Sequence, residues 1–494
     1  MTESDFLSLK SGTDVRGRAI GSEGAPVTLT DEAVLAISKA FCVWAKNRVG
    51  KSPTVAVGHD SRLTAHRLAG LVAAGVTACG GNVIMTGLSS TPSMFMLLRD
   101  DFGADASVMI TASHLPKEQN GLKFFLKEGG LEGGDVTEIL KIAAEGSFPK
   151  GEGVITGRSY LAAYARALVE KVRRATGKQR PLAGKKILVD AGNGAGGFYV
   201  DLVLKPLGAN TAGSQFLQPD GNFPNHIPNP ENEDAMRSVC EAVKEHKADF
   251  GIIFDTDVDR AGAVAAGGEE INRNRLIALI SALLLEEEPG ATIVTDSVTS
   301  NGLTQFITAR GGVHHRFKRG YKNVINESKR LNEAGVNSPL AIETSGHAAF
   351  KENYFLDDGA YLVTRLLIAL AKKGDLTAMI ADLPEPAQGR EVRLNFMPDV
   401  DFKALGADLL EELKRRAPEI DGLSLAPQNY EGVRINFSEE AGDGWALVRM
   451  SLHESVLPIN FESNSPDGCK KIGETLYELL KDYPFFTNTD SLIK

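Results

Sequence analysis

A serine stands in Thr111-Ala112-Ser113-His114-Leu115-Pro116, and Lys123 closes the Asn120-Gly121-Leu122-Lys123 run that follows. Before it, Ala106 to Ile110 is short, apolar and rich in strand formers. Ser113 is therefore expected where a buried strand ends and the chain turns, the place where open α/β sheets put their chemistry. A bare serine hydroxyl is a poor nucleophile without an adjacent base, and the Gly-x-Ser-x-Gly elbow of the hydrolases is absent here. A different chemistry is a serine that carries a phosphoryl group, with a metal to neutralise it and a lysine close by to move protons. Asp255-Thr256-Asp257-Val258-Asp259-Arg260 could supply the metal. Its three carboxylates alternate after the apolar Ile252-Ile253-Phe254, and Mg2+ takes oxygen ligands of this kind while keeping positions for a phosphate. A calcium loop would need glycine and glutamate where Arg260 and Ala266 stand. An acidic surface turn is the ordinary alternative, but solvation alone requires neither the preceding apolar strand nor the trailing arginine.

Four other loops carry polar groups of interest. Gly192-Asn193-Gly194-Ala195-Gly196-Gly197 formally matches Gly-x-Gly-x-x-Gly. A dinucleotide site also wants an acid at the end of the next strand, and Asp220 lies instead in a Pro/Asn-rich loop, so a tight strand-to-helix turn is the expectation. Arg16 lies in Ser11-Gly12-Thr13-Asp14-Val15-Arg16-Gly17, a glycine-flanked stretch expected to be a flexible loop. Glu343, Ser345 and His347 offer an acceptor, a hydroxyl and an imidazole suited to sugar hydroxyls, although Ser345 could equally be a helix cap. Arg449 and Ser451 end a strand late in the chain and could hold a phosphate through a guanidinium fork and a hydroxyl; strand arginines are usually just solvated.

The elements that must position these groups repeat one plan. Thr30 is a plausible helix cap, and Val34, Ile37, Phe41 and Trp44 recur at helical spacing up to Asn47. Thr54 to Val57 reads as a strand, followed by the exit loop Gly58-His59-Asp60-Ser61-Arg62, a helix near 64 to 79, a strand at Val83 to Met85, a helix near Met94 to Leu98 and the strand before Ser113. The alternation favours a mostly parallel sheet covered on both faces. The rhythm restarts near 159 and again after Asn274, each time delivering a polar loop from a strand end. Ala381 to Arg390, with Pro384, Pro386 and Gly389, reads as a linker. Beyond it, strands at Val392 to Leu394, Val433 to Phe437, Trp445 to Met450 and Leu457 to Phe461, with helices at Phe402 to Arg416 and near Tyr477, indicate a smaller α+β domain.

Bulk properties narrow the function classes. The chain has 494 residues, too many for one ordinary core. No run approaches the ~18 apolar residues of a membrane span, and the acid-bearing N-terminus reads as no targeting segment, so a cytoplasmic location is expected; a removed presequence would leave no trace. Cys42, Cys79, Cys240 and Cys469 are far apart and contain no Cys-x-x-Cys pair, which suits buried thiols in a reducing compartment. A formal net charge of -10 argues against a nucleic-acid surface, while local cations in a cleft can still hold a small phosphorylated ligand.

Taken together and in this order, the loops resemble those of the α-D-phosphohexomutase superfamily over nearly the whole chain. TASHLPKEQNGLK resembles the phosphoserine loop and DTDVDR the magnesium loop. The resemblance implies a catalytic set of Ser113 as phosphoryl carrier, Lys123 as general acid/base, Arg16, His114 and His347. Asp255, Asp257 and Asp259 would hold one Mg2+ with Ser113, and Arg260 would lie near the active serine. ETSGH places Glu343, Ser345 and His347 on the sugar-recognition loop, Arg319-Gly320-Tyr321-Lys322 looks like the specificity loop, and Arg449-Met450-Ser451 opens the phosphate-binding loop. Leu115 stands where the family usually has asparagine and Thr256 where glycine is common. Leu452-His453-Glu454-Ser455 replaces a typical Asn-Thr-Glu-Pro, with His453 the expected substitute in phosphate binding.

Implied with the family are three similar α/β domains with mixed, mostly parallel sheets and a C-terminal α+β domain around a central cleft, divided here at 1–155, 156–270, 271–388 and 389–494. The implied activity is a mutase that interconverts hexose 1-phosphate and hexose 6-phosphate, with hexose 1,6-bisphosphate as intermediate and activator. GHAAFKENYFLDDG resembles the dual-specificity glucose/mannose group. An amino-sugar phosphate mutase and a non-catalytic sugar-phosphate sensor are the alternatives. An aspartyl-phosphate phosphotransferase built on Asp255, with Asp357 and Asp358 on the metal, would leave the Ser113 loop without a role. The expected partner is a small sugar phosphate, with no nucleic acid or membrane, on a monomer or homodimer.

Overall fold

The computed structural model describes residues 1–451 and 454–494. They form two compact units: Met1–Arg273 with Ser345–Ala349 and Leu356–Leu376, and Asn274–Thr344 with Phe350–Phe355 and Thr377–Lys494.

In the first unit an eight-stranded sheet is centred on Thr54–His59, flanked in parallel by Ala106–Ile110 and Asn82–Leu88. On one side Ile155–Gly157 adds in parallel; on the other, Gln119–Leu126 and then Asp14–Arg18 add antiparallel. The sheet is mixed, and antiparallel strands make up more of it than the α/β alternation alone suggests. The stretch around Arg16 is a strand, not a flexible loop. Arg16 pairs with Gly121, and Gly17 is small because a Cβ there would lie 2.8 Å from Thr28 Oγ1 and 2.9 Å from Leu9 Cδ2. Glycine here answers close packing, so its flexibility was a false signal.

The helix Asp31–Val49 shows why the sequence pattern works. Thr30 caps it by accepting the Ala33 N–H at 3.2 Å, and Gly50 ends it with φ 72°. Val34, Ile37, Phe41 and Trp44 all face inward. They pack with the helices Ala65–Ala78 and Gly133–Glu145 in one apolar layer. A second, four-stranded sheet runs Glu269–Ile271, Ala261–Ala265, Phe250–Phe254, Ile187–Asp190, with only the last pair parallel.

The second unit contains the parallel strands Val313–Arg316, Thr292–Thr295 and Leu340–Ile342 and all but the first residue of the helix Arg273–Glu287, whose residues 276 to 285 are all buried. Residues 381 to 387 lack regular structure and lead into an antiparallel sheet. Its order is Gln388–Asn395, Val456–Ser463, Gly444–Val448, Val433–Phe437, Leu423–Leu425. The helices Phe402–Arg416 and Gly468–Leu480 share its core. No helix among the described residues is long and apolar enough to cross a membrane, and all four cysteines are free thiols.

Candidate active site

Ser113 lies three residues past the strand Ala106–Ile110, 1% exposed and in the left-handed region at φ 50°. Its amide is held by Thr111 Oγ1 at 2.9 Å. This local turn aims the side chain at the aspartate loop. Ser113 Oγ donates to Asp255 Oδ2 at 2.9 Å and accepts from Arg260 Nη2 at 3.0 Å.

The aspartate loop follows the buried strand Phe250–Phe254, and every residue from 255 to 260 is buried. Its shape is imposed from several sides. The Arg260 amide donates to Asp255 Oδ1 at 3.2 Å. Val258 sits at φ 68°, costly for a β-branched residue, and its carbonyl accepts the Gly359 N–H at 3.1 Å. The Thr91 amide and hydroxyl both donate to Asp257. On a further side stands the glycine run 192–197, which is the tight turn expected. The Ala195 amide donates to Thr256 O at 2.8 Å, and a Cβ on Gly194 would lie 2.6 Å from that same oxygen. The Gly-x-Gly-x-x-Gly pattern thus serves a close approach of two backbones.

Asp255, Asp257 and Asp259 each offer an oxygen within 4.8 Å of the others. Asp257 Oδ1 and Asp259 Oδ1 are buried without a hydrogen-bond partner. Such a cluster of hard oxygen donors fits a divalent cation. Lys123 Nζ, from the strand Gln119–Leu126, lies 2.5 Å from Asp259 Oδ2 and 3.5 Å from Asp257 Oδ2. Burial pushes the Asp259 carboxyl up, but Lys123, then His347 and Arg260, outweigh it and hold the group well below the carboxylate range. Burial and the two neighbouring aspartates push Asp255 the other way, well above that range. Three carboxylates this close cannot all ionise without added positive charge.

His114 Nδ1 is 2.5 Å from Arg260 Nη2 and 3.3 Å from Ser113 Oγ. Burial, then the charges of Arg260 and Arg16, drive its pKa down to about 2, so it is a neutral acceptor at ordinary pH. Arg16 pairs with Asp14 at 2.9 Å. Burial disfavours an imidazolium at His347, but Asp357, bonded to Nδ1, reverses the balance and raises the pKa. The turn 345–347 is tied to the aspartate loop by the Ala261 N–H, which donates to Gly346 O at 3.3 Å. In that turn Ser345 Oγ is buried without a hydrogen-bond partner.

In the second unit, Glu343 Oε1 accepts the Gly320 N–H at 2.6 Å. Tyr321 and Lys322 form the first turn of the helix Tyr321–Glu333. The Arg319 amide donates to Glu431 Oε2 at 3.1 Å. Arg449 lies just past the strand Gly444–Val448, where burial lowers its pKa against the opposing charge of Glu431; its Nε is buried without a hydrogen-bond partner. Ser451 Oγ accepts the Glu454 N–H at 3.1 Å. His453 lies outside the described residues.

Several residues around the serine and aspartate loops were not singled out from sequence. Arg62 and Asp60, in the exit loop after Thr54–His59, are both buried against the Ser113 loop. Asp358, which the sequence offers only as a metal ligand of the aspartyl-phosphate scheme, caps the helix Gly359–Lys373 and accepts the Tyr164 hydroxyl at 2.6 Å. A charged pair in a polar exit loop is the available signal for Arg62, but its partners are main-chain atoms that no side-chain pattern reveals.

This fold agrees with what similar proteins show. Residues 9–150, 162–268 and 272–387 match, in order, alpha/beta/alpha domains I, II and III of phosphoglucomutase/phosphomannomutase. The chain belongs to the phosphoglucomutase/phosphomannomutase family of the α-D-phosphohexomutase superfamily, isomerase-class enzymes that depend on a metal. Among its relatives, a phosphoglucomutase of Neisseria gonorrhoeae is 30% identical over 460 residues, 92% of this chain and 94% of that protein. A phosphomannomutase/phosphoglucomutase of Pseudomonas aeruginosa is 29% identical over 470 residues, 95% and 94% of the two chains. The crystal structure of a family protein from Burkholderia thailandensis superposes with a TM-score of 0.80 at 28% identity, covering 99% of both chains.

Proposed function

We propose that the chain interconverts the 1- and 6-phosphates of a hexose, glucose or mannose foremost, by storing a phosphoryl group on Ser113. The observation that carries this reading is the position of Ser113 Oγ, 2.9 Å from a carboxylate of the aspartate loop and 3.0 Å from Arg260. Catalysis of phosphoryl transfer is mostly positioning and charge stabilisation; Asp255 orients the serine hydroxyl and Arg260 supplies positive charge beside it. A hydroxyl of the sugar phosphate attacks phosphorus, the bond to Ser113 Oγ breaks, and Arg260 takes up charge on the departing oxygen. Lys123, in its neutral form, accepts the hydroxyl proton and returns it in the reverse transfer. Arg16 adds positive charge beside this loop. His114 holds Arg260 as a neutral acceptor. Asp255, Asp257 and Asp259 would hold Mg2+, which when bound offsets the charge of the transferring group.

Glu343 and Ser345 are assigned to sugar hydroxyls, with His347 fixed by Asp357. Gly320 and Tyr321 are assigned to specificity, and Arg449, Ser451 and His453 to the distal phosphate. A hexose 1,6-bisphosphate is the intermediate and, added from outside, the activator. We read the four domains as 1–155, 156–270, 271–388 and 389–494, and a cytoplasmic monomer or homodimer as the working form. The test is a coupled assay across hexose 1-phosphates, amino sugars included, with Mg2+ and the matching bisphosphate. Turnover of glucose or mannose phosphate above the amino-sugar phosphates supports the reading, and the reverse ranking replaces it with an amino-sugar mutase. Binding without turnover of any of them leaves the sensor.

A further inference from the structure

Arg62 has no part in the chemistry above, yet it is only 2% exposed. Its terminal nitrogens are directed to the main chain of one loop. Nη1 donates to Pro116 O and Gln119 O, each at 2.9 Å, and Nη2 to Ser113 O at 2.5 Å and Leu115 O at 2.7 Å. Asp60 lies 3.4 Å from Nε and accepts the Arg62 amide at 2.9 Å, and the Phe223 ring centroid is 5.4 Å from the guanidinium carbon. A loop that turns four carbonyls toward one point needs donors there, since buried acceptors are costly to leave unpaired. The planar fork of arginine meets that need; a lysine has three donors on a single atom.

We propose that Arg62 is a positioning residue for phosphoryl transfer, fixing the backbone of residues 113–119 so that Ser113 presents Oγ to Asp255 and Arg260. The inference rests on Ser113 being the phosphoryl carrier. Arg62 contacts the carbonyl of Ser113 and not its hydroxyl. Its removal therefore misplaces the reacting oxygen without touching the groups assigned to the sugar. Displacements of about 1 Å at a reacting atom can cost on the order of 10²-fold in rate.

The experiment loads enzyme and variants with hexose 1,6-bisphosphate and Mg2+, locates the phosphate by peptide mapping, and follows single-turnover transfer to hexose monophosphate, per folded molecule. Arg62→Lys, which keeps charge and near length, is expected to transfer about 10²-fold more slowly, with KM within a few-fold of the parent. Arg62→Ala is expected to fall further and to regain part of its rate with methylguanidinium. The inference is overturned if both variants transfer at the parent rate. It is also overturned if the losses follow only the unfolded fraction, if neither variant folds, or if methylguanidinium restores nothing. Absence of phosphate on Ser113 in the unsubstituted enzyme overturns the carrier reading itself, whereas normal labelling with normal transfer in the variants removes only Arg62.

Discussion

Replacing Lys123 with methionine keeps the volume of the side chain and removes its charge from among the aspartates. Lys123 Nζ lies 2.5 Å from Asp259 and 3.5 Å from Asp257, with the lysine side chain 5% exposed and the acids 1% and 0%. At an effective dielectric of about 20, those separations correspond to attractions of roughly 7 and 5 kcal/mol. Dehydration of the ammonium opposes most of this, and breaking a buried pair by removing one partner typically costs about 3–5 kcal/mol. That range is the expected loss for the first unit in the presence of chelator.

Mg2+ should narrow the gap. A ligand at about 100 times its Kd stabilises by roughly 2.7 kcal/mol, and an aspartate cluster that has lost its lysine binds a cation more tightly. The measurement is denaturant unfolding followed by Trp44, one of only two tryptophans, in a Trp445→Phe background, with chelator and with excess Mg2+. Trp44 is buried in the apolar core of the first unit. A loss below ~1 kcal/mol in chelator would mean that the lysine is solvated as the exposed pairs are, and a loss unchanged by Mg2+ would mean that the aspartates do not share a cation. Turnover in the same variant is expected to fall about 10²–10⁴-fold as the acid/base is lost.

Gly194→Ala forces a Cβ to within 2.6 Å of Thr256 O and 2.8 Å of its Cα; overpacking of this kind costs about 1–3 kcal/mol, and Mg2+ titration of the variant should show weakened affinity. Unaltered affinity would detach the glycine run from the metal loop. His226 bonds Asp190 at 3.0 Å, and although burial disfavours its charge, that partner raises its pKa above the ordinary value. The folded chain therefore holds the proton more tightly than the unfolded one: the stabilisation is complete below a pH of about 6.5 and fades as pH rises through the folded-state pKa. Unfolding of the parent and His226→Gln should differ most near the acid end of that window and converge above it; a gap that widens with pH would reverse the assignment. Arg449→Ala should raise KM for the sugar phosphate about 10- to 150-fold, the equivalent of one lost charged hydrogen bond, with a smaller change in kcat, measured by steady-state kinetics. Unchanged KM would free Arg449 from the phosphate site.

Much of this was legible in the residues because the reacting loops follow short buried strands, and strand ends are readable from apolar runs. Ala106–Ile110 and Phe250–Phe254 deliver Ser113 and the aspartates as that pattern implies. Arg16 was misplaced because Gly12 and Gly17 look like loop punctuation, while Gly17 in fact makes room for Thr28 and Leu9. The antiparallel strands Gln119–Leu126 and Ala261–Ala265 were missed because each follows a functional loop and turns straight back onto the sheet, a choice made by tertiary pairing. The sequence offers Asp357 only as a metal ligand of an aspartyl-phosphate scheme and Arg62 only as part of an exit loop, because their roles are set by partners 10 residues away in one case and 51 to 57 in the other. Burial of a polar side chain against main-chain acceptors has no periodic signature.

The most direct measurement is phosphopeptide mapping of the enzyme after exposure to hexose 1,6-bisphosphate and Mg2+, with turnover followed in parallel. The expected result is one phosphate on the peptide bearing Ser113, discharged by excess hexose monophosphate, with neither phosphate nor turnover in Ser113→Ala. Sustained turnover by Ser113→Ala, or a phosphate found on Asp255 instead, would contradict the account.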